Sequence, residues 1–244
     1  METTLPRLFR KRASEYPELA FQMSRFKDGH FEPTTYKEAY EISVSFAGGL
    51  LAHGVAREEH IGLISDNRKE WEHADMGLMM LGAIDVPRGC DATIGDLEYI
   101  LSFAECKRVI VENSSQIEKM LGIREKLPLV TEMIVFESPS DKDLEKTKSA
   151  GIALHSFEQI VEEGRKYNSE NPGKVDEEMD KGKWDDLATI IFTSGTTGKP
   201  KGVMRSHGNF ITQLDEVCER IYLYPGDRGL MVLPVWHAFQ RAVE

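Results

Sequence analysis

The sequence predicts an α/β protein, and three observations carry that expectation. Short apolar runs alternate with amphipathic stretches, the signature of a parallel sheet covered on both faces. Several of the amphipathic stretches open on a side-chain cap. At 41% hydrophobic and 29% charged, the 244-residue chain can bury a sizeable core. That length suits one large domain or two small ones, at about 150 residues per domain.

The elements follow in order. Residues 35–54 read as a helix with both ends marked: Thr35 and Glu38 form a T-x-x-E capping box, and Gly54 supplies a left-handed stop. Phe46 and Leu50 lie one turn apart and point to a core. Ile61–Ile64 reads as a strand. Asn67 is the expected cap of a second helix, with Glu70 at its third position, running to about Leu81. Met76, Met79 and Met80 recur at helical spacing on it and read as core filling. Ala83–Val86 is a buried strand, and Thr93 with Asp96 opens a helix ending near Ala104. Arg108–Val111 is strand-like, Ser115 starts a helix to about Glu125, and Met133–Phe136 is one more short strand.

Residues 164–183 are polar without a hydrophobic period and read as a surface excursion or linker. The charge run Asp176–Asp180 reads as a solvated face. Leu187–Phe192 is an apolar strand, and Val203–Arg205 a second one that makes the intervening loop a hairpin tip. Asn209 to about Ile221 looks helical, with His207 a helix-start residue. Leu230–Leu233 is a last strand, stopped by Pro234.

Several classes are disfavoured. A formal net charge of -11 opposes general nucleic-acid binding. The three cysteines, Cys90, Cys106 and Cys218, lie far apart and form no C-x-x-C or zinc-spaced cluster, so they read as buried or incidental thiols. No strand is followed by G-x-G-x-x-G. The N-terminal stretch lacks the apolar core of a signal peptide, and no run approaches the ~18 apolar residues that span a bilayer. The expected location is cytoplasmic.

The chemistry concentrates at Ile191–Met204, IFTSGTTGKPKGVM. Seven of the ten residues Thr193–Gly202 are Gly, Ser or Thr. Such a loop lets backbone N–H groups approach an anion closely. Thr193, Ser194, Thr196 and Thr197 add hydroxyl donors, and Lys199 or Lys201 adds positive charge. A flexible turn has similar composition. The loop is not a Walker P-loop, because Gly195 and Gly198 are two residues apart and Lys199 precedes Pro200.

TSGTTGKPKG resembles, at every position, the signature loop of the adenylate-forming superfamily of acyl-CoA synthetases, luciferases and related acid–thiol ligases. LPVWHAFQR, Leu233–Arg241, resembles the family's next core motif, and in the long-chain acyl-CoA synthetase branch that motif reads closer to L-P-x-W-H-x-F-E-R. Gln240 departs from it by losing a carboxylate, which puts in doubt any ion pair made there by relatives. LPRLFRKRASEYPELAF, TTYKEAY, IGLISDNRKEW and GAIDVPR resemble earlier segments of the same branch, so the similarity runs from about Leu5 to Glu244.

The resemblance implies an α/β fold of stacked mixed sheets with helices between them, and activation of a fatty acid by ATP to an acyl-adenylate, then to a thioester with coenzyme A. It assigns Thr193, Ser194, Gly195, Thr196, Thr197, Gly198, Lys199 and Gly202 to the phosphate loop, with Thr196 toward Mg²⁺ and Lys201 as a catalytic charge beside the loop. It sets Trp236 and His237 between nucleotide and acyl carboxylate. Alone, His237 would read as a core histidine beside Trp236. The expected partners are fatty acid and coenzyme A. A long acyl chain is compatible with peripheral membrane contact. A carrier-protein acceptor, and a non-catalytic nucleotide-binding fragment, stay open.

No Y-G-x-T-E segment, ribose-binding aspartate or lid domain is identifiable before Glu244. The chain is therefore expected to be the first part of the large N-terminal domain, inactive alone. Its expected portions are residues 1–163, the polar stretch 164–183, and a phosphate-loop and acyl-site portion at 184–244.

Overall fold

Six short runs rich in Ile, Val and Leu pair side by side, and the helices that follow them bury both faces. The computed structural model describes residues 3–25, 28–193, 199–222, 224–237 and 241. In chain order the elements are α1 (Leu5–Glu15), β1 (Ala20–Arg25), β2 (Phe31–Thr35), α2 (Tyr36–Ala52), β3 (His60–Ile64), α3 (Lys69–Leu81), β4 (Ile84–Arg88) and α4 (Ile94–Phe103). Then come β5 (Arg108–Val111), α5 (Ser114–Gly122), β6 (Glu132–Val135), α6 (Asp141–Ser149), β7 (Ala153–Ser156), α7 (Phe157–Glu170), α8 (Lys174–Asp180), β8 (Leu187–Thr193), β9 (Lys201–Ser206) and α9 (His207–Cys218).

The main sheet has seven strands in the order β7-β6-β5-β3-β4-β8-β9. All neighbouring pairs are parallel except β8 with β9, which is antiparallel. The α/β class with a mixed sheet is thus present. β1 and β2 form a separate antiparallel ribbon.

Side chains alternate across the sheet with period two. Ile110 and Ile134 join one core layer with Phe46, Leu50, Trp71, Leu78 and Phe157. Val109, Val111, Met133 and Val135 join the other, with Leu97, Ile100, Ile117 and Met120. The first layer is closed by α2 and α7, which cross at small residues. A Cβ on Gly49 would strike the Ile160 carbonyl, and one on Gly164 the Ser45 carbonyl. Asn168 Nδ2 donates to the Val44 carbonyl at 3.0 Å across the same contact, and Phe46 stacks on Phe157 with centroids 4.7 Å apart.

The expected caps at Thr35 and Thr93 are present as full capping boxes, and Gly54 has φ +73°. Phe46, Leu50 and Met80 are fully buried, Met79 nearly so, and Met76 packs against the first layer. Other expectations need correction. The stretch 164–183 is not a linker: it holds the second half of α7 and all of α8, whose Val175 and Met179 are buried. The acidic run does form an exposed face, on which Arg10 pairs with Asp176 at 3.0 Å and Asp180 at 2.9 Å. Asn113, not Ser115, caps α5. Leu230–Leu233 forms no strand and is exposed. The helix expected from Asn209 starts at His207, because Ser206 and Asn209 form its capping box.

The tight α2–α7 crossing yields a test. Gly164→Ala should destabilise the chain by about 1–3 kcal/mol through overpacking, read as a lower urea midpoint at constant m-value. Gly122→Ala is the control, with open space around its Cβ and an expected change no worse than neutral. Equal stability of the two variants would refute the close-packing account.

Candidate functional site

Ligands of open α/β sheets gather at the carboxyl ends of the strands. Here β3, β4 and β8 end together, at Ile64, Arg88 and Thr193. β4 and β8 are in register at Asp85 and Thr189, and Thr189 Oγ1 donates to the Asp85 carbonyl at 3.3 Å. Four residues further along each chain lie Gly89 and Thr193, so both strands run toward the same edge of the sheet.

The Trp236 ring lies directly on Gly89, where any Cβ would collide with Cζ2 and Cη2 of the indole. The segment carrying it is held by Asn67. That side chain donates Nδ2–H to the Leu233 carbonyl at 2.7 Å and accepts the Val235 N–H at 2.8 Å. Asn67 was the expected cap of α3. Instead Arg68 stands at the N-cap, without a side-chain hydrogen bond, and Asn67 joins the β3–α3 turn to the distant motif. Val235 is buried beside it, and the His237 N–H closes a turn on the Pro234 carbonyl at 2.9 Å. His237 itself is exposed.

The loop joins β8 to β9 as a hairpin, whose last pair is Thr193 with Lys201 and the one before it Phe192 with Gly202. Lys201 is exposed. A Cβ at Gly202 would crowd Ile190 Cγ2 and Phe192 Cζ at 3.0 and 3.2 Å, so packing alone favours glycine there. Lys199 is exposed, with Nζ 5.7 Å from the Tyr99 ring centroid. Ser194, Gly195, Thr196, Thr197 and Gly198 lie outside the described residues, and with them the Mg²⁺ assignment of Thr196.

Two further residues, Cys90 at this edge and His207 at the far end of β8, have simpler roles. Cys90 follows Gly89, but burial together with Glu112 and Asp66 pushes its thiol up to about 12, so it is a poor nucleophile. His207, at the start of α9, is pushed down to about 4 by burial and stays neutral.

The residue that sequence reasoning missed is Arg241. Its side chain is 4% exposed. Nη2 reaches Asp75 Oδ1 and Oδ2 at 2.8 and 2.7 Å, and Nη1 reaches Asp85 Oδ2 at 3.2 Å. The guanidinium also lies over Trp71 and Phe210, 5.2 and 5.4 Å from their centroids. The doubt raised by Gln240 concerned an acidic partner inside the motif, whereas these acids come from α3 and β4. The signal was present as Asp75 and Asp85, two carboxylates inside otherwise apolar stretches. Buried charge of that kind demands a partner. Burial pushes both carboxyls up, Asp75 well above the usual range, while Arg241 pulls them back.

The AMP-binding enzyme family matches residues 9–244. A long-chain-fatty-acid–[acyl-carrier-protein] ligase of the Arabidopsis thaliana chloroplast is 29% identical over 98% of this chain and 33% of its own length. Human long-chain-fatty-acid–CoA ligase 1 is 29% identical over 91% of this chain and 32% of its own. The chain thus spans about a third of the length of these curated relatives. A long-chain-fatty-acid-CoA ligase structure from Archaeoglobus fulgidus superposes with TM-score 0.78 at 21% identity, covering 100% of this chain and 44% of that one. An AMP complex of the A-PCP didomain of a carboxylic acid reductase from Segniliparus rugosus gives 0.77 at 21%, covering 98% and 37%.

Removing the central cation should be costly and pH-dependent. Both aspartates are raised in the folded chain, so their contribution is fullest below the unfolded value near pH 4 and is lost as pH climbs. Arg241→Met enlarges that raise. It should cost about 3–5 kcal/mol at neutral pH and distinctly less toward pH 4, measured by denaturant unfolding across pH. A loss independent of pH would contradict the buried triad.

Proposed function

Because this chain belongs to the AMP-binding enzyme family, we propose that it builds the triphosphate-holding edge of an ATP-dependent, fatty-acid-activating ligase. One observation carries the reading: the parallel pairing of β4 and β8 brings the start of the Gly/Ser/Thr loop toward the same edge of the sheet as Gly89, the seat of Trp236. On this reading the two motifs, far apart in sequence, serve one site.

The chemistry asked of that volume is the meeting of two anions. A fatty-acid carboxylate oxygen bonds to the α-phosphorus of ATP, and the bond from that phosphorus to the departing pyrophosphate breaks. Charge on the polyphosphate must be offset by groups already in place. Lys201, exposed opposite Thr193, and Lys199 supply ammonium groups, while the residues from Thr193 to Gly198 supply hydroxyl and backbone donors. Mg²⁺, which the hydroxyl of Thr196 would help to hold, would add positive charge on the phosphates. Trp236 and His237 border the acyl carboxylate on the other side. Asn67 and Arg241 are positioning residues, fixing the motif from before and after.

Long-chain fatty acid is the proposed substrate and coenzyme A the acceptor, in keeping with the human relative. The plant relative is named for a carrier-protein product, so transfer to an acyl carrier protein is the second reading.

Carboxylate-dependent ATP–pyrophosphate exchange tests this on the protein encoded by the complete reading frame, with acids from acetate to palmitate. Exchange is expected with the long acids, falling about 10²-fold in Lys201→Ala and in Gly195→Ala. Undiminished exchange in both variants would sink the loop assignment. Thioester formation on coenzyme A rather than on a phosphopantetheinylated carrier separates the two acceptors.

A further inference from the structure

The opposite edge of the sheet carries a second cluster of chemically active side chains. His53 is the C-cap residue of α2, Glu132 opens β6, and His155 lies in β7. One donor atom from each falls within 4.8 Å of the others. His53 Nδ1 is 2.6 Å from Glu132 Oε1, and His155 Nε2 is 3.7 Å from the same oxygen. The two imidazoles meet edge to face with centroids 4.7 Å apart. The side chains are only 17%, 9% and 27% exposed. Two imidazoles and one carboxylate form a recurrent zinc-binding set.

A second observation is independent of that set. Metal-ligating histidines give their other ring N–H to a carboxylate or carbonyl, and ligating carboxylates are themselves hydrogen-bonded. His53 Nε2 is 2.6 Å from Glu163 Oε2 in α7. Glu132 Oε2 accepts from Arg108 Nε at 2.6 Å. Arg108 also pairs with Glu59 and donates Nη2–H to the His53 carbonyl at 2.7 Å. The outer partners of a metal site are therefore present around both His53 and Glu132.

We propose that His53, Glu132 and His155 bind a divalent zinc-class cation through Nδ1, one Oε and Nε2, with water as the fourth ligand. Bonds of about 2.0–2.1 Å place tetrahedral donors about 3.4 Å apart. The His155–Glu132 distance already matches. The His53–Glu132 contact opens by about 0.8 Å as coordination replaces its hydrogen bond. The ion ties the end of α2 to β6 and β7, on the edge away from the loop, and so acts on folding rather than on the transfer of acyl groups.

The test uses the full chain, without a histidine tag and stripped by chelator, titrated with Zn²⁺ calorimetrically and with Co²⁺ by visible absorption. One ion per chain is expected, with Co²⁺ bands of four-coordinate intensity and a Tm that rises with Zn²⁺. His155→Gln removes a ligand while leaving the Arg108 contacts intact, and it should abolish both signals. Glu163→Gln should weaken binding about 10–100-fold, and it decides the matter if His155→Gln fails to fold. No saturable binding would overturn the proposal, leaving a hydrogen-bonded ion network. Binding unchanged in either folded variant would overturn it too, by placing the ion elsewhere.

Discussion

The buried ion triad of Arg241, Asp75 and Asp85 is the constraint around which this part of the molecule is arranged. It joins a helix, a central strand and the end of the Trp236–His237 segment, with none of its charges in water. Such groups contribute little net stability compared with apolar replacements, but they tolerate few alternative arrangements. A guanidinium whose Nη2 meets both oxygens of Asp75, and whose two terminal nitrogens span the oxygens of Asp85, has to sit in one place. Packed over Trp71 and Phe210, it also brings α9 to the same point. The Arg241 N–H returns to the His237 carbonyl at 3.2 Å, so the position of the motif follows from that of the triad.

Much of the fold was legible because local chemistry and tertiary packing agree. Thr35 and Thr93 each cap a helix by side-chain geometry, and the parallel strands read as short apolar runs because both faces are covered. Failures came where one signal served two masters. Asn67 had the residue type and spacing of a cap, yet its amide serves the Leu233–Val235 backbone. In α7 the apolar positions Phe157, Ile160, Val161 and Gly164 follow helical spacing; starting a polar segment at Gly164 cut that period in half. α8 carries two buried side chains in seven residues, too few for periodicity to register, and their packing into the first core layer decides it. Leu230–Leu233 shows the converse. Apolar composition makes a strand only when a neighbouring strand pairs with it, and among the described residues no strand pairing includes Leu230–Leu233.

The candidate site was legible in a different way. Its residues were assigned by resemblance of two short motifs, and nothing in the spacing of either says how they are arranged. The described residues show β8 entering the sheet beside β4 rather than at an edge, and Gly89 leaving the indole a flat place to lie. Arg241 stayed hidden because its partners lie more than 150 residues earlier. Asp75 and Asp85 only become informative together, once α3 and β4 are known to be adjacent.

Global and local charge give opposite messages here, and their ranges reconcile them. A net charge of -11 acts over the whole surface, but at physiological ionic strength an exposed charge is felt only over about 8 Å. A polyanion that must touch many surface points meets that acidity repeatedly and is repelled. A single nucleotide is smaller than the span of most of those charges and feels what borders it. At the described ends of the loop the charged side chains are Lys199 and Lys201, both exposed. Of the acidic groups around the Trp236 segment, Asp75 and Asp85 are held by Arg241 and Asp66 accepts the Cys90 N–H at 3.0 Å, while Asp91 lies beside Gly89. An acidic protein can therefore keep an edge fit for phosphate, provided the carboxylates near it are tied up by the fold.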